Sequence, residues 1–178
     1  MPPVIAIVGH SNAGKTTLIE KLLPELSRRG YRAATVKHAH HGFQMDRPGK
    51  DSWRHQAAGA AAVILIGPEQ MAVVKNQPGG TLDDALRYAG DCDLVIAEGF
   101  KRASVPKIEV FRQGTQPAPI CLKDPHLFAL VTDAAIASLS IPVIDLEDIP
   151  RLADEIVSRL FDPLTRSTGT SRADDAVL

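Results

Sequence analysis

The chain has 178 residues, a length that corresponds to about one domain. Lys and Arg number 20 against 21 Asp and Glu, and this formal charge of −1 excludes a strongly basic nucleic-acid clamp and gives no support to a polybasic membrane anchor. Aromatic residues make up only 4% of the chain while aliphatic residues are abundant, a composition that suits a buried parallel sheet covered by helices.

Short apolar runs alternate with helical patterns along the chain. The runs are rich in β-branched residues and bounded by turn residues, as strands are. This alternation predicts an α/β domain whose mostly parallel sheet carries helices on both faces. The predicted strands are Val4 to Val8, Ala33 to Lys37, Ala62 to Ile66, Met71 to Lys75, Leu94 to Glu98, Lys107 to Phe111, Leu127 to Thr132 and Pro142 to Asp145. The predicted helices run from Lys15 to about Gly30, from Ser52 to Ala60, onward from Thr81, and onward from Asp148.

The strand Lys107 to Phe111 differs from the others, because polar residues alternate with Ile108 and Val110. Such alternation is typical of a strand with one face in water. We therefore predict an edge or antiparallel strand here, which would allow a second copy of the chain to pair with it.

The loop between the first strand and the first helix fits the phosphate-binding pattern G-x-x-x-x-G-K-[ST]. Its two glycines permit backbone angles through which successive N–H groups can surround phosphate oxygens, next to the positive end of the helix dipole. Lys15 would reach the β- and γ-phosphates, and the Thr16 hydroxyl would bind Mg²⁺. The motif predicts a P-loop NTPase-like domain. The predicted nucleotide-binding residues of the loop are Gly9, His10, Ser11, Asn12, Ala13, Gly14, Lys15, Thr16 and Thr17.

A P-loop protein also needs a carboxylate near the metal, at the carboxyl end of a buried strand. Glu98 ends the apolar run Leu94 to Glu98 and is followed by Gly99, where the chain can turn away. We predict Glu98 as a metal ligand and, with Lys15, as a catalytic residue. Asp51 has two open interpretations: it caps the next helix, or it approaches the metal.

Three histidines follow the second strand in the stretch Lys37-His38-Ala39-His40-His41. They form a solvated loop, or they ligate a transition metal, although a closely spaced fourth ligand is missing. In a third interpretation, Lys37 and His38 lie at the carboxyl edge of the sheet and sense the γ-phosphate, as a switch segment does.

Four segments in this order and spacing resemble the molybdopterin-guanine dinucleotide biosynthesis adaptor (MobB) family of SIMIBI-type P-loop proteins. The resemblance extends from about Val4 to Arg112. The segments are the loop Gly9 to Thr16, Lys37-His38-Ala39-His40-His41, Pro48-Gly49-Lys50-Asp51-Ser52 and Glu98-Gly99-Phe100-Lys101.

The resemblance implies a homodimer that binds GTP and hydrolyses it weakly at best. It also implies an adaptor that assists the guanylyltransferase attaching GMP to molybdopterin, with that enzyme and molybdopterin-loading proteins as partners. By analogy with the related dethiobiotin synthetase and nickel-delivery GTPases, Thr16, Asp51 and Glu98 are the Mg²⁺ group. The same analogy favours Lys37 and His38 as nucleotide sensors.

The sequence contains no N-K-x-D element that would support specificity for guanine. Asp133 follows an apolar strand and could accept hydrogen bonds from the guanine base, but a turn role for this residue is the favoured interpretation.

Three other functions stay open at this point. A small-molecule P-loop kinase could use Arg47 and Lys50 over the phosphates. A nickel or zinc metallochaperone GTPase could use His38, His40 and His41. A degenerate P-loop scaffold would bind no nucleotide.

The remaining features concern the compartment and the end of the chain. Cys92 and Cys121 are too few for a disulfide framework and fit a cytoplasmic protein, and no apolar run of about 18 residues predicts a membrane span. Residues from 163 to 178 are rich in Ser, Thr and Arg and are predicted to form a disordered tail. The nucleotide-binding domain is therefore predicted to cover residues 1–162.

Overall fold

The computed structural model of the protein describes residues 1–39, 42–43, 46–76, 79–136 and 139–162. Over these residues the strands and helices lie where the sequence predicts them, with ends that differ by a few residues, and the last four strands follow one another without a helix between them. The elements are β1 (Val4–Val8), α1 (Lys15–Arg28), β2 (Ala33–Lys37), α2 (Asp51–Ala57), β3 (Ala62–Ile66), β4 (Met71–Lys75), α3 (Leu82–Leu86), β5 (Leu94–Glu98), β6 (Lys107–Phe111), β7 (Leu127–Thr132), β8 (Val143–Ile144) and α4 (Ile149–Phe161).

The described residues divide into two compact units. The first unit contains Met1–His38 and the described residues from Leu82 onward, and the second spans Ala39–Thr81. A six-stranded sheet in the order β2-β5-β1-β6-β7-β8 forms the first unit, and each neighbouring pair in it is parallel. In the second unit, β3 and β4 form an antiparallel pair that follows α2 in the chain. The predicted α/β class with a mostly parallel sheet is confirmed.

Strand β1 shows how both faces of the large sheet are covered by helices. Ile5 and Ile7 belong to an apolar cluster with α1 and α4, whereas Ala6 and Val8 belong to a second cluster with α3. Since successive side chains of a strand point to opposite faces, these two clusters lie on opposite sides of the sheet. A central strand covered in this way holds the loop that follows it at a fixed edge of the sheet.

The prediction for Lys107 to Phe111 as an edge or antiparallel strand is wrong. Strand β6 lies between β1 and β7, parallel to both, and all of its side chains are buried. A second copy of the chain therefore cannot pair across it. The polar positions misled the prediction because their side chains are buried with partners, as buried polar groups usually are.

The partners of these buried side chains lie in the segment between β6 and β7. Lys107 donates to Asp124 over 2.6 Å, and Glu109 accepts hydrogen bonds from the backbone N–H groups of Ile120 and Cys121 over 2.6 and 2.8 Å. Burial acts to raise the pKa of Asp124, but hydrogen bonds from Lys107 and the His126 N–H outweigh it and hold the pKa below its usual value. The segment is thus tied to the buried strand by charged groups.

A network of ion pairs joins α1 to α4. Glu25 pairs with Arg28 of its own helix and with Arg29, the C-cap residue of that helix, and Arg29 also contacts Asp154 of α4. The hydrogen bonds from Arg28 and Arg29 lower the pKa of Glu25 from 4.5 to about 2. The depressed pKa means that the folded state favours the ionised carboxylate more than the unfolded state does.

We therefore expect the variant Glu25→Gln to be less stable than the parent at neutral pH. Because a depressed pKa gives stability that is complete above 4.5, the difference should shrink as the pH falls towards about 2. Urea unfolding across this pH range measures it. The exposed Glu20 on the same helix provides the control Glu20→Gln, and a difference that stays constant with pH would contradict the prediction.

Three predictions fall partly or wholly on residues outside the described part of the chain. The tail over residues 163–178 lies there, as do His40 and His41 of the histidine stretch. The domain span of 1–162 stays a prediction. No helix among the described residues has the length and apolar character that a membrane crossing needs.

Candidate functional site

The phosphate-binding pattern forms the turn between β1 and α1. Gly9, Asn12 and Gly14 have positive φ angles of 139°, 62° and 94°, which is the backbone shape that glycine and, less readily, asparagine adopt. Gly9 is also required by space, because a Cβ atom there would lie 2.3 Å from the Val110 carbonyl oxygen of β6. The loop is therefore built against the backbone of the neighbouring strand.

Lys15 begins α1 and folds over the loop. Its Nζ donates to the carbonyl oxygens of His10 and Gly9, over 2.6 and 3.3 Å. Burial lowers the pKa of the Lys15 ammonium, and the Glu98 carboxylate opposes that shift. The ammonium is thus held next to the backbone N–H groups that the motif predicts to surround a phosphate.

Three predicted site residues meet at one flank of the loop. Thr16 Oγ1 donates to Glu98 Oε1 over 2.9 Å, and Lys37 Nζ lies 3.2 Å from the same Glu98 oxygen and 3.3 Å from Thr16 Oγ1. Parallel strand pairing brings these residues together. Lys37 and Glu98 are register partners at the carboxyl ends of β2 and β5, and Glu98 is also the register partner of Ile7 in β1.

The chemistry of this flank fits a magnesium ion. A hydroxyl and a carboxylate oxygen are hard ligands, and Mg²⁺ is usually held by one or two such groups together with waters and phosphates. Thr16 and Glu98 would hold the ion. Since the Lys37 ammonium already contacts both oxygens, a metal ion bound there would compete with Lys37 for Glu98.

His38 lies beside the same flank. Its backbone N–H donates to the Glu98 carbonyl over 3.0 Å, and its ring stacks on Phe100 with centroids 5.1 Å apart. Gly99 has a φ of 92°, which allows the sharp turn between Glu98 and Phe100. Phe100 was not predicted as part of the site, although it lies within the Glu-Gly-Phe-Lys stretch.

Asp51 belongs to the second unit. The helix α2 begins at Asp51 itself, its N-cap residue is Lys50, and no side-chain hydrogen bond caps it. The capping role for Asp51 is therefore wrong. The side chain is exposed, with Arg54 as an ion-pair partner at 3.8 Å, and its role as a Mg²⁺ ligand stays a prediction.

The other candidate residues have the following positions. Asp133 accepts a hydrogen bond from the Gln113 N–H over 2.7 Å and so joins the carboxyl ends of β6 and β7, which fits the turn role. Arg47 and Lys50 are exposed residues of the second unit. Among the described residues, which exclude His40 and His41, no group of three or more His, Cys, Asp or Glu side chains could hold a metal ion.

Sequence reasoning missed Arg112, which lies against the phosphate loop. Its Nη2 and Nε atoms are 3.5 and 3.8 Å from the position that a Cβ atom of Gly14 would take. The available signal was an arginine directly after a strand. That signal could not be used while the strand was predicted to be an edge or antiparallel strand.

Comparison with known proteins gives a consistent result. The family model for molybdopterin guanine dinucleotide synthesis protein B (MobB) matches residues 4–133. A molybdopterin-guanine dinucleotide biosynthesis adapter protein of Haemophilus influenzae is 40% identical over 158 residues, which cover 86% of this chain and 87% of the relative. The protein of the same description from Escherichia coli is 36% identical, over 88% of this chain and 93% of the relative.

A solved structure is similar over most of the same length. The crystal structure of Bacillus subtilis MobB is 27% identical, has a TM-score of 0.72, and is matched over 89% of this chain and 98% of that chain. The similarity therefore includes both the sequence and the arrangement of the strands that carry the site.

Proposed function

This chain belongs to the MobB family of molybdopterin guanine dinucleotide synthesis proteins, and on that premise we propose that it is a GTP-binding adaptor with weak GTPase activity. It acts as an adapter in molybdopterin-guanine dinucleotide biosynthesis. Its partners in this proposal are the guanylyltransferase that attaches GMP to molybdopterin and the proteins that load molybdopterin. The observation that carries the nucleotide part is the contact of Thr16 with Glu98 beside the phosphate loop.

The phosphate loop supports binding of a nucleoside triphosphate. The loop residues with positive φ angles allow successive backbone N–H groups to surround a phosphate. Lys15 adds a cation that is already held at the loop. Mg²⁺ bound by Thr16 and Glu98, with Asp51 as a further proposed ligand, would neutralise phosphate charge. The choice of GTP over ATP rests on the family resemblance.

Weak hydrolysis follows from the partners of Glu98. Its carboxylate accepts from Thr16 and pairs with Lys37. In this proposal the engaged carboxylate serves as a metal ligand and not as the general base for an attacking water, so hydrolysis is slow. In this proposal, Glu98 and Lys15 act mainly by placing charge around the phosphates. His38 and Lys37, at the same flank, would respond to whether a γ-phosphate is bound.

The adaptor function is tested in a reconstituted guanylylation of molybdopterin. With GTP present in every reaction, we expect the purified guanylyltransferase to form product faster when this protein is added than when it is left out. The variant Thr16→Ala, which lacks the hydroxyl proposed to hold Mg²⁺, should give less stimulation than the parent. Equal product formation with and without the protein would overturn the adaptor proposal.

A homodimer is the second part of the proposal, and the β3–β4 hairpin supplies a surface for it. The register pairs Ile64 with Val73 and Ile66 with Met71, so the four side chains share one face of the hairpin. Ile64, Ile66 and Met71 are 60%, 82% and 67% exposed in the single chain. A contiguous exposed apolar face of this kind marks an interaction surface.

We expect the variant Ile66→Asp to shift the dimer towards monomer, because a charge would have to be buried in an apolar contact. Sedimentation equilibrium of the parent and the variant measures the shift. The variant Glu69→Lys, at an exposed position in the hairpin turn, is the control for a charge change. A parent that sediments only as a monomer would exclude the homodimer, and an unchanged dimer constant would exclude this face.

We also propose that the protein works in the cytoplasm. Cys92 and Cys121 are both free thiols in the structure, and Cys121 is buried. Unpaired cysteines are usual in a reducing compartment.

A further inference from the structure

We infer that Arg112 binds the phosphate chain of the nucleotide, from the flank of the loop opposite Glu98. The inference rests on the proposed nucleotide-binding function and adds a residue to it. It starts from the position of the guanidinium, whose Nη2 lies 3.5 Å from the position a Gly14 Cβ atom would take. Gly14 is the residue directly before Lys15 in the loop.

The backbone that carries Arg112 is fixed on several sides. The residue follows β6, which pairs with both β1 and β7. Its carbonyl oxygen accepts from the backbone N–H of Thr115 over 3.2 Å and from the Thr115 hydroxyl over 2.7 Å. The next residue, Gln113, donates its N–H to Asp133. The guanidinium therefore extends from a rigid position.

The side chain has no acidic partner in the part of the chain that the structure describes. Arg112 is exposed, and no carboxylate lies within ion-pair distance of it among those residues. The nearby loop presents further donors, the backbone N–H groups around Gly14. Donors that lie together in this way are complementary to an anion, and the planar guanidinium matches phosphate oxygens particularly well.

The strand order decides which part of the phosphate chain Arg112 would contact. β5 and β2 lie on one side of β1, and β6 lies on the other. Thr16, Lys37 and Glu98 therefore mark the flank proposed to hold Mg²⁺ and the γ-phosphate. Arg112 approaches Gly14 from the other flank. If the γ-phosphate binds beside Mg²⁺, the phosphate chain runs from that flank towards β6, and Arg112 would contact its end nearer the nucleoside. This position predicts an equal contribution to the binding of GDP and GTP.

The experiment compares dissociation constants for GDP and GTP, each with Mg²⁺, by titration calorimetry. We expect Arg112→Gln to weaken both by about tenfold or more, because a charge-assisted hydrogen bond is lost. Arg112→Lys should lose less, since it keeps the charge but not the planar fork. The control is Arg87→Gln, an exposed arginine that precedes the amino end of β5 and so lies towards the opposite edge of the sheet.

The outcomes separate this inference from the function on which it rests. If the parent binds both nucleotides and Arg112→Gln binds them equally well, the role of Arg112 is overturned and the proposed nucleotide-binding function stands. A loss for GTP without a loss for GDP overturns its placement at the nucleoside end. A parent that binds neither nucleotide overturns the proposed function and this inference with it. Circular dichroism checks that each variant is folded, and Arg112→Lys replaces Arg112→Gln if the latter is not.

Discussion

The variant Lys15→Ala is expected to bind GTP about 100-fold more weakly than the parent. Lys15 begins α1, and its ammonium lies 2.6 Å from the His10 carbonyl oxygen within the phosphate loop. A bound phosphate would replace these neutral carbonyl partners with charged oxygens, and each hydrogen bond to a charged group contributes about 1.5–3 kcal/mol. At the lower end of this range the loss of two such bonds is about 3 kcal/mol, and since about 1.4 kcal/mol corresponds to a factor of ten, affinity falls by about 100-fold.

Titration calorimetry of the parent and Lys15→Ala with GTP and Mg²⁺ measures this loss. The matched control is Lys21→Ala, on the same helix, where the lysine pairs with Glu147 at the surface. A surface pair of this kind contributes little, so the control should bind GTP like the parent. Equal GTP affinity of Lys15→Ala and the parent would show that the loop does not bind phosphate through Lys15.

The variant Glu109→Gln is expected to lower the free energy of unfolding by about 1–3 kcal/mol, the cost of one buried donor without a partner. Glu109 is fully buried, and its two oxygens accept from the N–H groups of Ile120 and Cys121. Glutamine has the same shape but only one acceptor oxygen, and its amide group would face the second N–H. Glu109→Ala should cost more, because both acceptors are removed and a cavity forms.

Urea unfolding measures this change, and the exposed Glu20→Gln serves as control, with an expected effect within about 0.5 kcal/mol. A second readout reports on the segment itself. Burial, with the charges of Glu109 and Asp124, raises the pKa of the Cys121 thiol. In Glu109→Gln, the thiol should react faster because the segment is less tightly held and one negative charge is lost. Unchanged stability and unchanged Cys121 labelling would contradict the anchoring role of Glu109.

These two predictions concern neighbouring parts of one arrangement. Glu109 lies in β6, whose Val110 carbonyl approaches Gly9 of the phosphate loop and whose end carries Arg112. Holding the segment after β6 thus also holds the flank of the candidate site on which Arg112 lies. A destabilised β6 segment is expected to reduce the pre-organisation of that flank.

The local features of the site could be predicted because they depend on residues adjacent in the chain. The phosphate loop combines two glycines and Lys15 at fixed spacing, between an apolar run and an amphipathic stripe. The strand that ends at Glu98 was predicted with the bounds that the structure has. Turn residues and apolar periodicity encode such elements directly.

The errors arose where a residue's environment depends on distant parts of the chain. Alternating polar residues in β6 have the same pattern whether they face water or a buried partner, and only the pairing with Asp124, Ile120 and Cys121 distinguishes the two. The interpretation of Asp51 as a helix cap failed for a smaller reason, since α2 begins one residue earlier than predicted. Helix ends depend on a few weak local contacts, so their position is easily shifted.

The sequence by itself determined the order of strands and helices along the chain, the phosphate loop and the set of candidate residues. The tertiary structure decided the strand order β2-β5-β1-β6-β7-β8, and with it which of those residues meet. It joins Lys37 to Glu98 on one flank of β1 and places Arg112 against Gly14 on the other. Contacts between strands far apart in the chain depend on burial and backbone pairing of the whole sheet, which no short segment encodes.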